Sequence, residues 1–177
     1  MSTSCDICFS TEVREVSLDI LQVPLSDSIS SSIGLMLQKV SSSGEGMRYC
    51  HLCGGRTPYT TESTIVQSGS VLIVQVNRSV QSGGRLIKDN RVVSSSVQRV
   101  INLSISADDD VSFDVSYRLV ATINHSGPAC SSGHYWAYVF CESNNSWLMC
   151  NDASVTQAKP SDIDNGTSCL FFFIRAD

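Results

Sequence analysis

Four of the eight cysteines fall in two short pairs, Cys5-Asp-Ile-Cys8 and Cys50-His-Leu-Cys53. No other feature of the sequence restricts the fold as strongly. Each Cys-x-x-Cys makes a tight knuckle, and two knuckles together can surround one zinc ion tetrahedrally, with Zn–S bonds of about 2.3 Å. The ends of the segment Phe9–Tyr49 are then pinned to one point, and Gly54-Gly55 gives the second knuckle the backbone freedom it needs. A closed shell of four thiolates leaves no position for water, so the zinc is expected to be structural. The same cysteines could instead form a pair of disulfides or be unrelated thiols. His51, inside the second knuckle, is expected at the surface rather than on the metal.

Compartment decides between those readings. The start, "MSTSCDICFS", lacks the basic and apolar regions of a signal peptide, and no apolar run approaches membrane-spanning length. A cytoplasmic or nuclear location is therefore expected, with no membrane partner. Thiols stay reduced there, which favours zinc over disulfides. With 42% hydrophobic and 16% charged residues over 177 positions, the chain is expected to fold as one domain with at most a protruding subdomain. Its net charge of −5 offers no basic stripe for displacing counterions, which argues against nucleic acid as a partner. A basic face or tail complements it better.

Hydrophobic periodicity predicts a β-rich α+β chain. Val16–Ile20 alternates apolar and polar residues, as a half-buried strand does. Ile29, Ile33, Leu37 and Val40 recur at helical spacing, with Asp27 or Ser28 as N-cap and Gly44 beyond the end. Val71–Arg78, "VLIVQVNR", reads as a largely buried strand, and Gln81–Asp89 as a turn or loop around a glycine pair. Further strands are predicted at Val97–Ile105, Val115–Asn124, Tyr135–Cys141, Trp147–Cys150 and Cys169–Arg175, with a solvated turn at Ala107–Asp110.

The chemistry concentrates in "SGHYWAYVFCESNNSWLMCNDASV", Ser132–Val155. A glycine delivers His134 to the start of an aromatic strand, and the next strand ends in Asn151-Asp152. An imidazole titrating near pH 6.5 can take a proton from a thiol, and a side-chain oxygen on its far nitrogen fixes the tautomer. A nucleophile is harder to find. Cys141 and Cys150 read as small buried hydrophobes. Cys130 sits in a Ser/Gly loop, without the positive field that activates a thiolate. Cys169 follows the histidine and leads into a strand. His125 reads as a loop-shaping residue rather than a second base.

These motifs resemble the ubiquitin-specific proteases, the large class of papain-like deubiquitinases, in the family's own order and over nearly the whole chain. The knuckles look like the zinc ribbon of the fingers subdomain, and "VLIVQVNR" is similar to the central palm strand. "YRLVATINHSG" and "SGHYWAYV" resemble the histidine box and the turn before it. "SWLMCNDASVT" resembles the closing segment, and "CLFFFIR" the last palm strand.

The resemblance implies a mainly antiparallel palm with the zinc-ribbon fingers as an extended two-stranded arm, divided at about residues 1–70 and 71–177. It implies His134 as general base, Asn151 as the residue that orients it, Asp152 as a supporting carboxylate and Tyr135 as a contact for the substrate tail. Cys5, Cys8, Cys50 and Cys53 become the structural zinc ligands. Ubiquitin or a ubiquitinated protein becomes the partner.

There are two departures from the family. Its Arg-Phe pair is Arg78-Ser79 here, and the thumb box "G-N-T-C-Y-x-N" that carries the nucleophilic cysteine is missing. The chain alone is therefore expected to recognise ubiquitin without hydrolysing it, and to self-associate or meet a thumb-containing partner. The alternative is a non-catalytic ubiquitin-binding or scaffolding module.

Overall fold

A computed structural model describes residues 1–95, 99–108, 111–129, 132–164 and 166–176. In chain order the elements begin with β1 (Ser2–Cys5), β2 (Thr11–Val13), β3 (Leu21–Pro24), α1 (Ile29–Leu37), β4 (Val40–Ser42), β5 (Arg48–Cys50), β6 (Gly55–Thr57) and β7 (Tyr59–Glu62). There follow β8 (Val71–Asn77), β9 (Ser79–Ser82), β10 (Arg85–Lys88), β11 (Val100–Asp108), β12 (Val111–Ala129) and β13 (Ser132–Cys141). The chain closes with β14 (Ser146–Asn151), β15 (Ser154–Ala158) and β16 (Ser168–Arg175).

One large sheet runs β15-β14-β13-β12-β16-β8-β3, with β11 pairing the first half of the long strand β12. Neighbours are antiparallel except β3 and β8, which are parallel. A parallel pair needs a crossover rather than a tight turn. Here the crossover holds α1 and then β4 to β7. Of these, β4 and β7 join β1 and β2 in a second, four-stranded sheet of order β2-β1-β7-β4, and β5-β6 forms a separate hairpin. The arm is thus four strands and a hairpin, not the two-stranded ribbon expected. Sheet membership also departs from chain order, because β3 lies within the first 70 residues yet forms an edge of the large sheet.

α1 forms where the apolar spacing put it. Ser28 caps it, accepting a hydrogen bond from the Ser31 N–H at 3.0 Å. Ile29 and Ile33 are buried against a core that includes Val23, Val74 and Val76, while Phe171 and Phe173 on β16 are fully enclosed. Each such side chain contributes about 1.5–3 kcal/mol by leaving water. Val40 does not continue the helix; it starts β4 and is exposed.

Val16–Ile20 is not a strand. All five residues are exposed, and pairing with β8 begins only at Leu21. The glycine pair does turn the chain, with φ +56° at Gly83 and +75° at Gly84, but the residues on either side are strands β9 and β10. Two consecutive positive φ values suit a two-residue hairpin turn. Val97, Asp109 and Asp110, at the ends of two predicted elements, lie outside the described residues, and β11 starts at Val100.

Arg78 is buried without the aromatic that follows it in the family. Its Nε donates to the Ser168 carbonyl at 2.7 Å, and its NH1 to the carbonyls of Asp89 and Arg91 at 3.0 and 2.8 Å. The guanidinium therefore ties β16 to the segment after β10. Ser79 opens β9 and donates its backbone N–H to Asn77 Oδ1 at 3.0 Å.

Candidate active site and metal centre

The histidine and the amide come together at one end of the large sheet. β13 pairs β14 in a register that sets Ala137 opposite Cys150, so the start of β13 meets the end of β14. His134 Nε2 lies 2.6 Å from Asn151 Oδ1. An amide oxygen can only accept, so Nε2 carries the proton and Nδ1 keeps the lone pair. Nδ1 is then the atom able to take a proton from a nucleophile. The Trp136 ring lies 6.2 Å from His134, centroid to centroid and nearly parallel, along the same face of β13. His134 is exposed, which leaves its basic nitrogen open to a reacting group.

Asp152 is the first residue of the turn between β14 and β15, with φ +50°, and its side chain is exposed. Tyr135 is 54% exposed and stands opposite His125 across the β12–β13 pair, their ring centroids 4.4 Å apart. His125 is not in a loop. It lies within β12 and is only 3% exposed. The signal that could have found it is the strand alternation, which continues through "ATINHS" past the predicted end at Asn124.

Gly133 sets how closely these strands approach. A Cβ at this position would lie 2.2 Å from the Ser126 carbonyl oxygen and 2.3 Å from His125 Nε2. Gly133→Ala is therefore expected to force β12 and β13 apart, costing about 1–3 kcal/mol, and to break the His134–Asn151 contact. Chemical denaturation measures the first effect, and a mixture of ring tautomers in the 15N spectrum of His134 reports the second.

Of the remaining cysteines, Cys141 and Cys150 are half-buried rather than fully enclosed, and Cys130 lies outside the described residues. Cys169 is half-buried and donates to the Ile123 carbonyl at 3.3 Å. Burial pushes its thiol pKa up, against the neighbouring backbone N–H and the charges of Arg78 and Lys88, which makes it a poor nucleophile.

The four knuckle cysteines converge. Their sulfurs all lie within 4.8 Å of one another, with Cys5 and Cys53 3.8 Å apart and Cys8 and Cys50 3.6 Å apart. A tetrahedron with 2.3 Å bonds has sulfur–sulfur edges of about 3.8 Å, whereas a disulfide bond measures about 2.05 Å. The spacing fits a shared metal ion and not a pair of disulfides. Cys5 is held down at about 6, first by the Cys8 backbone N–H and then by the Thr57 hydroxyl and the Ile7 N–H. Cys53 is pushed up to about 12 by the Cys8 thiol, burial and the other two sulfurs. Four thiolates cannot crowd together unaided; a divalent cation would stabilise all of them as anions. His51 is exposed, edge-on to Tyr49, and among the described residues belongs to no candidate ligand set.

The two knuckles repeat one backbone device. The Phe9 N–H donates to the Cys5 carbonyl at 2.9 Å, and the Gly54 N–H to the Cys50 carbonyl at 3.0 Å. Both closing residues are left-handed, with φ +58° at Phe9 and +69° at Gly54. Glycine adopts this conformation readily, while a bulky side chain pays about 1–2 kcal/mol. Because Phe9 is 79% exposed it recovers little of that by packing. Phe9→Gly should accordingly stabilise the chain by about 1 kcal/mol in chemical denaturation.

The architecture is shared with known deubiquitinase structures. The SAGA DUB module Ubp8/Sgf11/Sus1/Sgf73 bound to ubiquitin aldehyde superposes with a TM-score of 0.81 at 17% identity, over 99% of this chain and 40% of the matched chain. A second structure of the yeast SAGA DUB module gives 0.82 at 18% identity, over 99% and 40%. The likeness defines the fold as that of a ubiquitin-specific protease palm with its fingers.

The family's sequence profile, ubiquitin carboxyl-terminal hydrolase, matches residues 2–173, and the chain belongs to that family. Ubiquitin carboxyl-terminal hydrolase 25 of Arabidopsis thaliana is 28% identical over 94% of this chain, and human ubiquitin carboxyl-terminal hydrolase 17 is 25% identical over 89%. The chain spans only 24% and 29% of the lengths of these two relatives. Among the described residues, no helix is long and apolar enough to cross a membrane.

Proposed function

We propose that this chain is the fingers and palm portion of a cysteine-type deubiquitinase, and that it binds ubiquitin without cleaving it alone. His134 acts as general base through Nδ1. Asn151 holds Nε2 and fixes the tautomer, and Asp152 supplies a nearby carboxylate. Tyr135 contacts the terminal glycines of the ubiquitin tail, and the acidic chain attracts that tail's basic residues. The arm falls mainly within residues 1–70 and the palm within 71–177.

Zinc fits the arm. Cys5, Cys8, Cys50 and Cys53 would hold it, and it would supply rigidity rather than chemistry. The spacing of the sulfurs and the donor set, four thiols and no water position, support zinc over harder ions.

The observation that carries the catalytic reading is the 2.6 Å contact of His134 with Asn151 in a member of this hydrolase family. Among the described residues no cysteine hydrogen-bonds His134, and a base without a thiol partner forms no acyl-enzyme, which is why the chain alone is proposed to be inert. The test exposes the 177-residue chain to ubiquitin carrying a cysteine-reactive C-terminal group, and separately to ubiquitin with a fluorescent C-terminal leaving group. Neither an adduct nor turnover is expected. An adduct or turnover that disappears in His134→Ala would overturn the inert assignment and show a nucleophile within the chain.

A further inference from the structure

The four knuckle cysteines are not equivalent. Two short sulfur–sulfur contacts run across the knuckles, Cys8 to Cys50 at 3.6 Å and Cys5 to Cys53 at 3.8 Å. Cys8 is exposed and Cys50 half-buried, whereas Cys5 is buried and bonded to the Thr57 hydroxyl at 3.2 Å. Ser10 Oγ stands beside the first pair, 3.1 Å from Cys8 Sγ and 3.9 Å from Cys50 Sγ. The Cys8–Cys50 pair is therefore open to a soluble oxidant, and the Cys5–Cys53 pair is shielded on the Cys5 side.

A bond between Cys8 and Cys50 would tie the chain at the same two places as a shared metal ion does. The two residues are 42 positions apart, and a covalent tie across a long loop restricts the unfolded chain much as a metal bridge does. Each knuckle's own turn is closed by backbone, through the Phe9 N–H on the Cys5 carbonyl and the Gly54 N–H on the Cys50 carbonyl. A bond between the knuckles leaves both turns intact. A bond inside either Cys-x-x-Cys would tie nothing across the arm.

We infer that the knuckle cluster is a redox switch, in which a peroxide closes Cys8 onto Cys50, releases the metal and leaves the arm pinned by a disulfide. The Cys8 thiolate attacks one peroxide oxygen and becomes a sulfenic acid, with hydroxide leaving. The Cys50 thiolate then attacks the Cys8 sulfur and displaces a second hydroxide. Two thiolates thus lose two electrons to one peroxide, which is reduced to two hydroxides. Cys5 and Cys53 remain as thiolates, and two sulfurs hold zinc far less firmly than four. A dithiol reductant reverses the step by thiol–disulfide exchange. The inference rests on the zinc reading of the arm and is independent of ubiquitin binding.

The experiment uses the whole chain, loaded with zinc under a reductant that is then removed. Zinc content measured at this point tests the metal reading by itself, and a chain that holds none would overturn the metal and the switch together. Hydrogen peroxide is then added at low equivalents, released zinc is read with a metallochromic indicator, and disulfides are mapped by mass spectrometry after thiol alkylation. The expected result is loss of the bound zinc, a Cys8–Cys50 cross-link as the first disulfide, and recovery of bound zinc after dithiothreitol. Hydrogen exchange separates this state from the chelated one. Protection in β1 and β7 should persist after peroxide and vanish after chelation under reductant. Zinc retained while other thiols oxidise, a first disulfide within one knuckle, or protection lost with peroxide as with the chelator would overturn the switch and leave the metal site standing. Every measurement uses the unaltered chain, so none depends on a variant that folds.

Discussion

Replacing Cys5 with serine, or stripping the metal with a chelator, is expected to unfold the knuckles and the four-stranded sheet while sparing most of the large sheet. The arm has little else to hold it. β2 is wholly exposed, and Ile7, Phe9, Tyr49 and Leu52 around the knuckles all face solvent. Binding free energies of structural zinc in small sites are about 10–16 kcal/mol, as large as a domain's whole stability of about 5–15 kcal/mol. Cys5 is also the most buried of the four ligands, and it bonds the Thr57 hydroxyl at 3.2 Å, so its loss disturbs both knuckles. Hydrogen exchange is the appropriate readout. Protection should vanish in β1, β4 and β7 and persist in β12 and β16. Uniform loss across both sheets, or none at all, would contradict a metal confined to stabilising the arm.

The second large effect concerns the base. Wherever a thiol is supplied to this palm, from a longer form of the chain or from a partner, His134→Ala should reduce turnover by three orders of magnitude or more. General-base assistance alone is worth about 10²–10⁴, and a nucleophile and its base fail together rather than additively. Asn151→Ala should cost about 10²-fold, because the imidazole keeps its basicity but loses the contact that fixes proton and orientation. The mechanism also makes a claim about the isolated chain. In the wild type, 15N shifts should report a His134 ring protonated at Nε2, and in Asn151→Ala a mixture of tautomers. A ring protonated at Nδ1 in the wild type would remove the proposed base, since that nitrogen would have no lone pair to offer.

The parts of the fold legible in the sequence are those where one strong local pattern meets no competitor. β8 and β16 pair with each other, Phe171 opposite Val74, and bury Val74, Val76, Phe171 and Phe173, although Val71 at the start of β8 is exposed. The Ser28 cap and the Ile29/Ile33 stripe started α1 where expected. Elsewhere, tertiary pairing decided. Val16–Ile20 alternates as well as any strand, but alternation without a partner strand is no strand, and β8 offers its edge only from Leu21 onward. β9 and β10 are short and partly exposed, so their sequence shows the turn and not the ladder.

The cysteine cluster was legible because a knuckle is a local object and cysteine spacing is a direct statement about it. The meeting of His134 with Asn151 needed only a hairpin between them, and the polar residues Glu142–Asn145 mark one. The alternation through Ser126 could have placed His125 in β12, but not its burial, which depends on Tyr135 reaching across from β13. The four-stranded arm was missed for a related reason, since β1 and β7 are separated by half a hundred positions and pair only because the crossover returns there.

Recognition of ubiquitin by the palm and fingers is the central claim, and titrating 15N-labelled ubiquitin with the unlabelled chain tests it most directly. Saturable shifts are expected, concentrated in ubiquitin's C-terminal tail and its basic residues, reduced in Tyr135→Ala and weakened by added salt as steering by an acidic surface requires. An unchanged ubiquitin spectrum at the highest attainable concentration of folded, metal-loaded chain would contradict the claim.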